Sequence, residues 1–534
     1  MGLETHSDLP RDATQEEIDS LVHEIADIPL TAWLLSFTGA AAQFARFGIT
    51  ITWQNYLQNP RGRSPSPGAL GLGESRASII QNAYLFFQYL TPLPFAALSD
   101  MYIGRYKTMV ISLSALDRGA GLGGLVVAML LTGVGQGALS AILYPFIADQ
   151  IPVNRSRVQQ SRNGTLVVTD RQLAVQYIFN GYYWMVNIAA LSSIPTTLLE
   201  KHVGFWAAYL LPTVVLIVAC VPALIWRKRF VKVPPQPNAL PNAGKILVYA
   251  CQARFHLSAA NPEYQLQHDN RVVPWDSAFV EEVRRGLKGC RVIICFVIFW
   301  LCYNQTTNNI ISQSGQAEQH GLSNDTFQAL NPIACIIIGP LLQNLLFPFL
   351  RSRRISFGPI MRMTVAFLFI AGGLAYAAGF QQLIYSRGPC YSYPLECAAA
   401  KDTLGGDPAK TRPNEVNVWI QTPLHFLLAA GEILGIVSLN EYIQHEAPVS
   451  TKAMVRALQE IAAAVASALG IGLGPVSKNP YLTILFASLA GTMVLSAVLF
   501  WIAFRKDDLD YRITTVEVEE GVKPAEGDAS TKVE

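Results

Sequence analysis

"GFWAAYLLPTVVLIVACVPALIW" occupies residues 204–226 and carries no charged side chain. The hydrocarbon core of a bilayer is about 30 Å thick and asks for about 20 apolar residues of helix, at about 1.5 Å each. The stretch meets that length, and the basic run "RKRFVK" (227–232) follows it at once. Five further segments read the same way with almost no charge: 291–311, 327–350, 358–380, 416–440 and 480–504. The chain of 534 residues is 51% hydrophobic and 15% charged, against about 25% charged in globular domains. These features describe an all-α, multi-pass membrane protein and argue against a soluble one with large core helices.

The charges that remain are placed rather than scattered. Basic clusters stand at span ends: "GRYK" (104–107), "RKRFVK", "RSRR" (351–354) and "FRK" (504–506). Cytoplasmic ends collect Lys and Arg, so these ends are expected inside. The net charge of +2 gives no case for a nucleic-acid partner. The first 27 residues are polar and acidic and read as a cytosolic tail with no cleavable leader. The last 28 read as disordered. Of eight cysteines, six lie in or near predicted spans, where a small apolar thiol is ordinary. Cys390 and Cys397 instead flank "YSYPLE" in a polar loop and are a disulfide candidate if that loop is extracellular. No metal cluster, nucleophile motif or phosphate loop is legible. "GAGLGGL" (119–125) is glycine-rich, but it follows no strand and opens a membrane helix. Neither enzyme chemistry nor a cofactor is expected.

The predicted spans are 28–53, 78–98, a short third segment, 121–147, 172–198, 204–226, 291–311, 327–350, 358–380, 416–441, 453–473 and 478–504. The expected units are a cytosolic N-terminal tail (1–27), an N-terminal transmembrane bundle (28–226), a cytosolic linker (227–290), a C-terminal bundle (291–506) and a disordered tail (507–534). Six spans, a long polar linker with six prolines and six more spans is the layout of a transporter built from two pseudo-symmetric halves. With the N-terminus inside, every basic cluster falls inside. The Cys390/Cys397 loop and the "NDT" glycosylation sequon at Asn324 then fall outside. The third segment breaks the pattern. From Tyr106 to Leu116 it offers roughly 16 Å of helix, which cannot cross a bilayer. Either it borrows residues through "RGAGLGG" (118–124), or about 20 residues of a complete third helix are absent from this sequence, so the helix reads as truncated.

Local motifs carry a family likeness. "SDMYIGRYKT" (99–108) sets an acid and an arginine in a tight inside loop, where Asp100 can pair with Arg105 as a cytoplasmic latch; it resembles the loop after helix two of the major facilitator superfamily. "YYWMVNIAAL" (182–191) resembles the helix-five signature of the proton-coupled oligopeptide transporter family. "FWLCYNQTTNNIISQ" (299–313) resembles helix seven of its fungal branch. "YIQHEAPVSTKAMVRAL" (442–458) resembles the loop from helix ten to eleven, and "WQNYLQNP" (53–60) the end of helix one. Together they span nearly the whole chain in order. The resemblance implies a twelve-helix bundle in two six-helix halves, alternating access, a central cavity near the membrane midplane, and peptides and protons as partners. It also implies a multi-pass location, expected at the plasma membrane with both termini cytoplasmic.

The same resemblance exposes a departure. The family couples uptake to protons through a Glu-x-x-Glu-Arg motif on helix one, followed by an aromatic pair. Aligned from Gly48 and "WQNY", those three positions are Gly39, Ala42 and Gln43, and the aromatic pair is Arg46 and Phe47. A helix-four lysine of the family falls at Ser140, and a helix-seven acid at Asn304. Glu432, in "LLAAGEILG", matches a helix-ten glutamate that anchors a peptide amino terminus. A lone carboxylate in a span is a functional candidate by default. Arg46 has three readings: a pair with Glu432 across the bundles, a bidentate site for an anionic substrate group, or a side chain that snorkels to an interface. His425 lies seven residues before Glu432 and titrates near neutrality, so it joins Glu432 as a proton-coupling candidate, with a structural role the alternative. Arg456 and Glu460, four apart, suit a local ion pair. Tyr182, Tyr183, Trp184, Asn187, Tyr303, Asn304 and Gln305 suit a cavity wall that stacks on and hydrogen-bonds a peptide-like solute. The functions that follow are a transporter of peptides or peptide-like small organic solutes with proton coupling altered or lost, an exporter or facilitator of a specialised metabolite, or a non-transporting remnant or sensor.

Overall fold

The computed structural model describes residues 11–12, 22–61, 66–92, 94–95, 121–152, 157–160, 166–232, 239–254, 256–353, 357–400, 411–446 and 451–519. Its helices sort into two groups by the core that each builds. The first half supplies α1 (Leu30–Thr50), α2 (Trp53–Gln58), α3 (Glu74–Leu90), α4 (Gly121–Asp149), α5 (Arg171–Ala190), α6 (Ser193–His202) and α7 (Phe205–Ile225). Its cores gather Leu35, Leu139, Phe146 and Ile178 in one cluster and Trp53, Leu57 and Tyr84 in another. The second half follows α8 (Ala239–Gln252) with α9 (Ser277–Tyr303), α10 (Asn309–Gly315), α11 (Leu330–Leu341), α12 (Pro359–Ser386), α13 (Thr422–Glu432), α14 (Ser438–Glu446), α15 (Lys452–Gly472) and α16 (Leu482–Glu519). Its core is built on Phe296, Phe299, Phe367, Phe486 and Phe500.

Among the described residues, eight helices are long and apolar enough to cross a membrane. The run that opened the sequence reading is one of them, and only 28% of its most apolar window is buried in protein. Trp206, Ile217, Val218 and Ile225 point outward, each more than half exposed. In water such a face would be a liability; against lipid it is the ordinary surface. The last helix shows how both demands are met at once. Phe486, Met493 and Phe500, spaced by seven, are fully buried, while Ile484, Leu495, Leu499 and Ile502 face out. The helix continues to Glu519, so part of the expected disordered tail is helical. An unbroken hydrogen-bond ladder extends past the membrane where nothing in "KDDLDYRITTVEVE" terminates it. The linker is also ordered where it is described. Ala243, Ile246, Ala260 and Trp275 pack into the second-half core, and α9 begins at Ser277, ahead of the expected span start, with Asp276 capping the Phe279 amide.

One element has no counterpart in the sequence reading. β1 (Arg11–Asp12), β2 (Val22–Ile25), β3 (Arg157–Gln160) and β4 (Leu166–Asp170) form a sheet in the order β1-β3-β4-β2. β2 runs parallel to β4, pairing Val22 with Val167 through Ile25 with Asp170. The sheet ties the N-terminal tail to the connection ahead of α5. It marks what is called here the tail end of the molecule; α1 rises from it to the far end, about 31 Å away at 1.5 Å per residue over its 21 residues. The third segment at 106–116 and the Asp100/Arg105 latch lie outside the described residues.

Candidate functional site

Both halves contribute to a cavity of about 160 Å³. α1 supplies Arg46 and Phe47, α3 Tyr84 and Gln88, and α5 Asn187; from the other half come Tyr303 of α9, Asn331 and Cys335 of α11, and Glu432 of α13. Glu432 closes the regular part of its helix, and a single wide π-helical turn, Ile433–Val437, follows it. Such turns interrupt the normal ladder and recur at functional sites. The Glu432 carboxylate accepts a hydrogen bond from Tyr303 Oη at 2.6 Å, and a longer one from Cys335 Sγ at 3.8 Å. Asn331 Nδ2 donates to the Tyr303 oxygen at 3.4 Å. The tyrosine therefore aims the carboxylate and is itself held by the amide.

Arg46 is bound differently. Its Nε donates to Gln43 Oε1 at 2.8 Å, and its guanidinium carbon lies 3.9 Å from the Phe47 ring centre. The expected pair with Glu432 is not made: Arg46 and Glu432 line the same cavity, but among the described residues no carboxylate lies within ion-pair distance of Arg46. The cause is local, because Gln43 and Phe47, one turn back and one residue on, already take the head group. Nor does Arg46 reach an interface as a snorkelling side chain would.

The remaining candidates divide. Phe47 and Asn187 line the cavity. Tyr182 does not; it is 2% exposed and packs against Gly39 and Tyr144. Tyr183 and Trp184 lie on the exposed side of α5 and are not in the cavity wall. Asn304 and Gln305 also fail to reach it. They fall where α9 breaks, and a polar backbone break inside a bundle must be satisfied locally. Asn304 donates to Ser467 Oγ at 3.2 Å, and Gln305 Oε1 accepts from Asn309 Nδ2 at 2.6 Å. His425 is fully buried with no hydrogen bond at either ring nitrogen, and lies outside the cavity wall. Arg456 and Glu460 form the expected local pair at 3.3 Å. Ser140 bonds the carbonyl of Gly137, one turn back. Cys390 and Cys397 are joined in a disulfide.

Gly39 gives the departed helix-one motif a structural meaning. A Cβ placed there would stand 2.4 Å from Leu143 and 3.0 Å from Tyr182. Ala42 is likewise fully buried. The positions that resemble the family's acids are packed shut rather than merely neutral.

Beyond the cavity, the far end holds a polar interface that the sequence reading missed. Asn55 and Asn324 exchange two amide hydrogen bonds, both 2.8 Å. Thr197 and Thr326 hydroxyls meet at 2.7 Å, Gln54 donates to Ser312 at 3.0 Å, and Ser78 to Asn309 Oδ1 at 3.0 Å. Gln316 donates to Glu74 at 2.7 Å, and Lys201 Nζ to the Leu322 carbonyl. Every one of these bonds joins the first half to the second. Gly470 lets the two halves touch nearby, since a Cβ there would lie 2.5 Å from Asn82 Oδ1. The glycosylation candidate is corrected by the same geometry: Asn324 is 2% exposed and its amide is committed to Asn55, leaving no room for a glycan. The available signal was the amide-rich "WQNYLQNP" of α2, which makes these contacts through Gln54 and Asn55.

Comparison with known proteins agrees with this architecture. The POT family model, PTR2, matches residues 104–490. Peptide transporter PTR_A of Candidozyma auris is 36% identical over 518 residues, covering 94% of this chain and 86% of the relative. The probable peptide transporter ptr2 of Schizosaccharomyces pombe is 32% identical, covering 95% and 83%. The crystal structure of the POT family transporter PepTSo superposes with a TM-score of 0.68 at 17% identity, covering 90% of this chain and 99% of that one. With apolar spans, helical cores in both halves, a cavity shared between the halves and a family match over most of its length, the chain belongs to the POT family of transporters.

Proposed function

We propose that the chain is a secondary transporter of peptides or peptide-like small organic solutes. It works by alternating access between two six-helix halves, with the coupling acids of helix one lost. The observation that carries this reading is the pair of opposite charges, Arg46 and Glu432, that line one cavity from different halves without bonding each other. Each buried charge is costly on its own. A zwitterionic solute satisfies both, its carboxylate on the guanidinium and its ammonium on Glu432. A cavity of about 160 Å³ lies below the roughly 300–1,000 Å³ of general ligand pockets, which suits a short solute. Peptide-transporting relatives support the same class.

The far end faces the exterior in this reading, with both termini in the cytoplasm and the protein at the plasma membrane. The basic span ends support this orientation. So does the Cys390–Cys397 loop, which is anchored to the far end through Asn414, whose amide donates to the Gln316 carbonyl. The structure is then the state closed to the outside.

Uptake of a labelled dipeptide by yeast lacking its own peptide transport, at pH 5 and pH 7.5, tests the proposal. Glu432→Gln should cut uptake about tenfold or more with the protein still at the membrane, the scale of one lost charge-assisted hydrogen bond. Unchanged uptake would remove Glu432 from the site. No uptake by the membrane-localised wild type would leave the metabolite-exporter and non-transporting readings.

A further inference from the structure

Two carboxyl groups face each other across the far-end interface. Glu200 comes from the last turn of α6 and Asp325 from the first turn of the helical run Asn324–Leu350, so one belongs to each half. Glu200 is 2% exposed and Asp325 fully buried, and the two are within hydrogen-bonding reach of each other. Their seating is fixed by their neighbours. Thr197, one turn before Glu200, touches Thr326, the residue after Asp325. Asn55, half of the reciprocal amide pair, donates to Glu200 Oε1 at 3.2 Å. The other Glu200 oxygen and both Asp325 oxygens are buried and take no hydrogen bond of ordinary geometry, with the Ser323 hydroxyl and the amides of Asp325 and Thr326 nearby.

Two ionised carboxylates cannot share such a place, because their repulsion adds to the cost of removing both from water. The charged and titratable groups around them relieve this only in part, since one cation faces two carboxyls. Lys201, next to Glu200, faces Asp325 but has its ammonium on the Leu322 carbonyl, and Tyr209 and Tyr56, from α7 and α2, bring no positive charge. Nothing titratable is contributed by α10, which also packs here. A single proton between the two oxygens resolves the contact: one carboxyl donates, the other accepts. Helix polarity says where it sits. Asp325, at the start of a long helical run, is favoured as the anion, and Glu200, at a helix end, is favoured neutral.

We infer that Glu200 and Asp325 form a proton-binding site that locks the transporter closed at its outer face. The site rests on the alternating-access reading above, and it stands apart from the helix-one positions that are packed shut. When the halves part, both carboxyls meet water and the proton leaves at ordinary acidity. The closed state therefore binds one proton more than the open state. It is favoured at low pH and loses ground as pH rises, by up to tenfold in the closed-to-open ratio per pH unit.

The test is a distance between spin labels at Val203 and Ala399, exposed positions on the two halves, in full-length protein whose six unpaired cysteines are replaced and which is held in lipid nanodiscs without substrate. Wild type should show the short distance at pH 5.5 and a growing long-distance population at pH 8.5. Glu200→Gln keeps a donor without the charge and should hold the short distance at both pH values. Asp325→Asn should also abolish the pH response and serves if Glu200→Gln fails to fold. All of these are read in a Glu74→Gln background, because burial pushes that interfacial carboxyl up to about 7 and it would titrate in the same range; the response should persist in that background. A wild type with no pH response, or a response that survives both carboxamide variants, overturns the site. Asn55→Ala separates this from the transport proposal. If it opens the far end while wild type ignores pH, only the proton lock is wrong; if no variant opens it, alternating access itself is refuted.

Discussion

The far-end interface and the cavity are both polar regions between the same two halves, yet they are satisfied in opposite ways. At the far end amides and hydroxyls meet partners across the boundary, as in the reciprocal pair of Asn55 and Asn324. In the cavity Arg46 and Glu432 are each held by neighbours from their own half, Gln43 and Tyr303, and left short of each other. A neutral hydrogen bond between buried amides is worth only about 1 kcal/mol net, so an interface made of such bonds holds firmly as a set and can still be undone. A charged pair inside protein would be harder to part, because each ion left behind is stranded. In the transport cycle proposed above, weak reciprocal contacts lie where the halves would separate and unpaired charges where a solute would bind, which is the arrangement a moving carrier needs.

The strongest way to break this contrast is to put a charge back where the chain has removed one. Gly39→Glu would restore the family's acid, but the Cβ alone collides with Leu143 and Tyr182. Overpacking of this kind costs about 1–3 kcal/mol, before the further cost of a buried carboxylate. The expected outcome is a large fall in folded protein at the membrane, read by fluorescence-detected size-exclusion chromatography. A folded, monodisperse variant with acid-stimulated uptake would show instead that α1 retains room for the motif.

A middle-sized effect is expected at the amide pair. Asn324→Ala strands Asn55 Oδ1 in a buried site and leaves Nδ2 only its bond to Glu200, and an unmet group costs about 1–3 kcal/mol. Asn55→Ala does the same from the other side, and also frees Glu200 Oε1. Either variant should raise the far-end-open population severalfold, and the double variant by less than the sum of the singles, because the two side chains act as one unit. Additive effects would mean that the pair is coincidental.

What was legible follows the same contrast. The apolar helices could be read directly, and Glu432 could be singled out, because hydrophobic runs and an isolated acid are local signals. Arg46 was legible as an anomaly, but its partner was not: the choice between Glu432 and Gln43 depends on how α1 is rotated, which composition does not specify. Polar and aromatic groups in a span suggest a lumen, so from sequence Tyr182, Asn304 and Gln305 read as cavity residues. Their true partners, Gly39, Ser467 and Asn309, come from helix packing and a helix break. Asp325 stood inside the sequon "NDT", where the asparagine drew the reading to the surface while the fold buried both residues. The sheet that pairs residues 22–25 with 166–170 was missed because its strands are four and five residues long and more than a hundred positions apart.

The smallest effect belongs to the charge pair that the sequence did place correctly. Arg456 and Glu460 meet at 3.3 Å on one face of α15, but the arginine side chain is 59% exposed. Pairs four apart on a helix contribute about 0.3–0.5 kcal/mol when exposed, and the glutamate, 17% exposed, raises this only modestly because water still reaches the arginine. Arg456→Gln should therefore leave expression, thermal stability and dipeptide uptake within about twofold of wild type. A tenfold loss of uptake without loss of protein would place a functional charge on α15 and extend the solute path beyond the cavity. The unpaired charges of Arg46 and Glu432 would then be one part of a longer electrostatic track rather than the whole of the site.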